Sequence, residues 1–141
     1  MTKSLFKRIA GWLAIDPNDL WLDVADPEAK VRSLLAEMDS GLVQTKDAVA
    51  KAVVKEHQLA QRLARMAAAI AEWDAKADAA LQAGDEKAAR RALERKQPYR
   101  RAAQDIQASL DKQRQTVAEM KASLSLLQAK ANEIRQRRDS P

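Results

Sequence analysis

The feature that most constrains this chain is a pair of apolar seams with strictly alternating steps. The first reads Leu35, Met38, Leu42, Thr45, Val49, Ala52, Glu56, Leu59, Leu63, Met66, Ile70, Trp73, Ala77 and Ala80. The second reads Ala89, Ala92, Lys96, Tyr99, Ala103, Ile106, Leu110, Gln113, Val117, Met120, Leu124, Leu127, Ala131 and Ile134. Steps of three and four residues alternate without a stutter, which is the period of a left-handed coiled coil.

Between the seams lies LQAGDEKAARRALERK, Leu81 to Lys96, with one of only 3 glycines in the chain. Gly84 suits the left-handed conformation that ends helices, Asp85 suits a helix cap, and Glu86 in the next first turn suits the dipole. Folding the chain back at Gly84, with Ala80 opposite Ala89, gives every seam residue a seam partner. Leu63 meets Ile106, Leu59 meets Leu110, Val49 meets Met120, Leu42 meets Leu127, and Met66 faces the small Ala103. Two layers are polar, Glu56 with Gln113 and Trp73 with Lys96, whose stem can lie on the indole. Polar layers cost stability but fix register.

The expected fold is therefore all-α: a long antiparallel two-helix coiled-coil hairpin preceded by a short amphipathic helix. Each arm is about 80 Å long at 1.5 Å per residue. The expected organisation is an amphipathic helix over 1–15, an acidic connector over 16–26, and hairpin helices over 27–83 and 86–138. The tip turn falls at 84–85 and a tail at 139–141. The connector carries Asp19 and Asp23 between two Asp-Pro pairs, Asp16-Pro17 and Asp26-Pro27, each suited to open a helix. Gly41 inside the first arm costs about 1 kcal/mol relative to alanine. Pro98 inside the second removes a backbone hydrogen bond and should bend it. A two-helix core is thin, so self-association into a homo-oligomer is expected.

Composition narrows the function. The chain has no cysteine, which removes disulfides and thiolate chemistry. It lacks the apolar run that a membrane-spanning helix needs and the features of a secretory signal, so a cytoplasmic place is expected. The single histidine, His57, falls on a solvent side beside Glu56 with no nucleophile or metal partner in the pattern. No phosphate-cradling glycine loop, HExxH or hydrolase serine motif is present. The carboxylates are spread among basic residues at helical spacing, as on solvated helix faces. We expect no enzyme, no metal and no cofactor. A net charge of +5 favours anionic partners.

The most informative stretch is MTKSLFKRIAGWLAI, residues 1–15. At 100° per residue Leu5, Phe6, Ile9, Trp12 and Leu13 gather on an arc of about 120°. Lys3, Lys7 and Arg8 fall outside it, and no acid precedes Asp16. This is the pattern of a helix lying in a membrane interface, with apolar residues at the acyl boundary and cations at anionic headgroups. It is also the pattern of a short helix packing its apolar face on the hairpin or on a neighbouring subunit. The absence of acids and the tryptophan favour the membrane. A second basic cluster follows the tip, where Arg90, Arg91 and Arg101 point away from the seam. It reads as an exposed face with i,i+4 pairs such as Glu86–Arg90, or as a candidate partner or phosphate contact. No base-reading motif supports nucleic-acid binding.

Taken together, the short amphipathic helix with an early Phe, the segment ADPEAKVRSLLAEM (residues 25–38), EWDAKADAAL (72–81) and AGDEKAARRALERK (83–96) resemble the phage shock protein A (PspA) and vesicle-inducing protein in plastids family. That family belongs to the bacterial side of the ESCRT-III membrane-remodelling superfamily. The resemblance covers nearly the whole chain. It implies a peripheral membrane protein on the cytoplasmic face of the inner membrane that answers envelope stress, self-assembles and reshapes bilayers. It also implies, for some members, a hairpin that binds and restrains an AAA+ transcription activator. The membrane contact maps onto Lys3, Leu5, Phe6, Lys7, Arg8, Ile9, Trp12 and Leu13. Typical members continue for several more helices that interlock subunits, whereas this chain stops where its second arm has paired back to the start of the first.

Overall fold

The chain is seen in a computed structural model, which describes residues 2–22 and 25–140. Connector residue Asp23 and the terminal Pro141 lie outside the described residues. The elements are α1 (Thr2–Leu13), a 3-10 turn (Pro17–Trp21), α2 (Pro27–Gln82) and α3 (Glu86–Asp139). α2 and α3 pack against each other as a helical hairpin.

Local chemistry fixes the element ends. Asp16 accepts a hydrogen bond from the Asn18 amide at 3.0 Å and opens the 3-10 turn. Asp26 accepts from the Ala29 amide at 3.2 Å, with Pro27 as the first residue of α2. α2 ends in a Schellman arrangement. The Asp85 amide donates to the Ala80 carbonyl at 2.9 Å and the Gly84 amide to that of Leu81 at 3.0 Å. Gly84 sits at φ +77°, a region costly for any residue with a Cβ. Asp85 then caps α3, accepting from the Ala88 amide at 3.0 Å. α3 continues as helix through Pro98.

Every seam residue is buried or half-buried except Tyr99, which is 36% exposed. The tyrosine hydroxyl gains by reaching water while its ring keeps part of the seam. Buried and half-buried positions recurring at three and four residues are the physical content of the alternating pattern.

The chain divides into two units. One is built from the segments up to Ala52 and from Thr116 onward; the other is Val53–Gln115. In the first, three helices contribute. Its buried cluster joins Leu5, Ile9 and Trp12 of α1, Leu20 of the turn, Val31, Leu35 and Met38 of α2, and Leu127, Ala131 and Ile134 of α3. The second has only α2 and α3. Its cluster is Leu59, Ile106 and Leu110, with Ala60, Leu63 and Met66 half-buried against it.

The two polar layers of the second unit carry charge pairs beside the seam. The Lys96 Nζ pairs with Asp74 at 2.7 Å. The cation over the Trp73 ring is Lys76, 4.3 Å from the centroid and three residues along the same helix. Glu56 pairs with Arg114 at 3.5 Å. A carboxylate beside the seam is a better partner for an ammonium than an indole face, because it offers full charge as well as a hydrogen bond.

Candidate functional site: the first helix and its groove

α1 is amphipathic by sequence but short, at 12 residues, and isolated helices of that length are marginal in water. Its first turn holds no acid, and Lys3 there opposes the helix dipole. Its order must come from what its apolar face touches. In this structure that face touches the hairpin. Leu5, Ile9 and Trp12 are buried, Ile9 to 1% exposure, and Phe6 and Leu13 are half-buried. Lys3, Lys7 and Arg8 remain exposed on the other side. Of the two arrangements open to such a helix, the structure therefore displays the docked one.

The dock is specific on both flanks. Toward α2, the guanidinium of Arg8 donates to the Gln44 side-chain oxygen at 2.9 Å and lies 5.8 Å from the Trp12 ring centroid. Toward α3, Phe6 and Lys3 line a shallow cleft with Thr116, Met120 and Ser123. After the helix, the Lys130 ammonium donates to the Ile15 carbonyl at 2.9 Å. Trp21 lies half-buried, with the Arg137 guanidinium 5.5 Å from its ring centroid. Arg135 and Asp39 form an ion pair between α3 and α2.

Gly41 is the residue whose purpose the sequence hid. A Cβ built on it would stand 2.5 Å and 2.7 Å from two ring carbons of Trp12. Real Cβ atoms do not approach that closely, so the indole occupies the space that any other side chain at 41 would need. Four residues on, Thr45 is fully buried and its hydroxyl donates to the Gly41 carbonyl at 2.6 Å. Sequence reasoning named the large apolar residues of α1, Leu5, Phe6, Ile9, Trp12 and Leu13, but missed this notch, together with Gln44, Leu20 and Val31. One signal was available: Gly41 sits one residue before the seam position Leu42, on the flank where a third helix would approach.

The arginines of the second cluster are placed differently. Arg90, Arg91 and Arg101 are all exposed on α3, in the two-helix unit, whereas α1 belongs to the three-helix unit. The Arg91 Nε donates to the Lys87 carbonyl at 3.5 Å. Among the described residues, Glu86 and Arg90 form no ion pair despite their spacing. Exposed pairs gain little over water, so the rotamers are free to part. No helix among the described residues is long and apolar enough to cross a membrane.

These features define a class: a helical hairpin with a short basic amphipathic helix folded against it. The chain belongs to the PspA/IM30 family, whose model matches residues 4–140. It is 34% identical over 135 residues to the membrane-associated protein Vipp1 of Nostoc punctiforme, covering 96% of this chain and 52% of that protein. It is 28% identical over 139 residues to the chloroplastic membrane-associated protein VIPP1 of Arabidopsis thaliana, covering 99% of this chain and 42% of that one. It is 30% identical over 131 residues to the phage shock protein A homolog of Deinococcus radiodurans, covering 93% and 59%. The chain thus spans about half the length of the curated relatives it matches.

Proposed function

We propose that this is a peripheral membrane-binding, self-assembling helical protein that stabilises or remodels the bacterial inner membrane from its cytoplasmic face under envelope stress. The observation that carries the reading is α1. It gathers Leu5, Phe6, Ile9, Trp12 and Leu13 on one side and holds Lys3, Lys7 and Arg8 exposed on the other. The names of the Vipp1 relatives, which are called membrane-associated, support it. The mechanism is interfacial insertion of α1, multiplied by avidity when several chains bind as a homo-oligomer. One short helix binds weakly, whereas many on one assembly bind firmly. The reading involves no catalysis and no cofactor.

A second reading is favoured by the burial of the α1 face and by Val43, Val54 and Leu126, which stand exposed on α2 and α3. It is a soluble regulatory hairpin that binds another protein, with the AAA+ transcription activator of the family as precedent. Arg90, Arg91 and Arg101 would then be candidate contacts.

Co-sedimentation separates the two. With phosphatidylglycerol-containing vesicles the whole chain should pellet, and a form starting at Asp26 should not. Neither should pellet with phosphatidylcholine alone. Replacing Phe6 and Trp12 together by Glu should abolish pelleting while circular dichroism stays helical. Pelleting that survives this double change would rule out insertion of α1. Failure of the whole chain to pellet would leave the partner-binding hairpin, tested by a pull-down with the form from Asp26.

A further inference from the structure

We propose that Gly41 is a socket for Trp12 that holds α1 in a closed, masked state, and that an anionic bilayer surface opens it. This rests on the reading of α1 as the membrane contact and adds how that contact is regulated.

Three observations carry it. First, Leu5, Ile9 and Trp12 are buried in the hairpin groove and are also the residues the bilayer interface would take up. One face cannot serve both surfaces, so docking and insertion exclude each other and compete as alternative states. Second, the groove is shaped for this helix at its most demanding side chain. The indole fits only because residue 41 has no Cβ. A glycine inside a long helix weakens it relative to alanine, a cost that the seating of Trp12 explains. Third, the cations are already outside in the closed state: Lys3, Lys7 and Arg8 are exposed, and the Arg8 bond to Gln44 is itself at the surface. Phosphate headgroups can therefore engage these cations before the apolar face leaves its groove, and can take Arg8 from Gln44. A helix that needs an apolar surface to stay ordered then exchanges one such surface for another.

The competition has an arithmetic consequence. Apparent lipid affinity equals the affinity of the open form reduced by the fraction that is open. Anything that spoils the socket raises that fraction and so tightens vesicle binding. Gly41→Ala and Gly41→Leu do this while improving the intrinsic helix propensity of α2. They should loosen α1 without unfolding the hairpin.

The test uses the full chain with Trp21→Phe and Trp73→Phe, so that emission reports Trp12. Without lipid, Gly41→Leu should shift that emission to longer wavelength, with Gly41→Ala between it and the glycine form, while circular dichroism remains as helical. At limiting phosphatidylglycerol vesicles, Gly41→Leu should bind about tenfold more tightly, as expected for a largely closed parent. Exposed Trp12 with unchanged vesicle binding would overturn the masking and leave the membrane reading standing. Trp12 still buried in both variants would overturn the socket. If neither the glycine form nor the variants bind anionic vesicles, the membrane reading fails and the proposal fails with it.

Discussion

The two units of this chain use the same two helices and the same heptad seam, yet they bury side chains to different depths. In the three-helix unit Ile9, Val31, Met38, Thr45, Leu127 and Ile134 are all exposed by less than 2%. Among the described residues of the two-helix unit, Leu110 alone reaches that depth among the large side chains. There Leu63 and Met66 stay half-buried. The difference shows what a coiled-coil seam can and cannot do. Two helices enclose a single line of contacts and leave its edges wet. A third helix laid along the groove closes one edge and turns the line into a core.

The largest effect should come from emptying that core. Leu127→Ala removes a fully buried side chain and should cost about 2–5 kcal/mol. Leu63→Ala, at a half-buried position of the two-helix unit, should cost clearly less, because water already reaches part of the side chain. Urea unfolding followed by circular dichroism measures both. Equal losses would mean that the third helix adds no real enclosure.

An intermediate effect should come from Pro98, in the two-helix unit. It has no amide to donate to the Glu94 carbonyl, and its ring crowds that carbonyl. Pro98→Ala should stabilise the chain by up to about 3 kcal/mol. Hydrogen exchange should slow around residues 94–102 and stay unchanged around Val31 and Met38. Slowing spread evenly over both units would show that they unfold as one cooperative body.

The hairpin was legible because its determinants are local and periodic. Seam spacing, Gly84 and Asp85 each act within a few residues, and each does what its chemistry predicts. The fate of α1 was not legible from its own pattern. An arc of Leu5, Phe6, Ile9, Trp12 and Leu13 is indifferent to whether a protein groove or a lipid surface covers it. What makes room for the docked Trp12 is a residue far along the chain, Gly41, and its effect is an absence of atoms rather than a contact. The charge pairs beside the polar layers were not legible for a related reason. Register fixes which residues lie opposite, but long side chains such as Lys96 and Lys76 choose among several neighbours within reach.

The smallest effect, and the finest probe of the comparison, lies in the two helix caps. Asp26 opens α2 and Asp85 opens α3, each with a carboxylate accepting from the amide three residues on, at 3.2 Å and 3.0 Å. Replacing either by Ala removes one such bond and a favourable charge at the positive end of a dipole, about 1 kcal/mol in each case. Their surroundings differ. Behind Asp26 the chain reaches fully buried Val31 within two turns, so packing holds the start of α2 even without its cap. Behind Asp85 the first buried side chains are Ala89 and Ala92, which bring little apolar surface. The Asp85 amide is also tied back to Ala80, so cap and turn stand or fall together. Asp85→Ala should therefore destabilise at least as much as Asp26→Ala, and fray α3 through its first turn by hydrogen exchange. Asp85→Asn should recover most of the loss, since the amide oxygen still accepts. A larger loss from Asp26→Ala would locate the weaker start at α2 and reverse this part of the comparison.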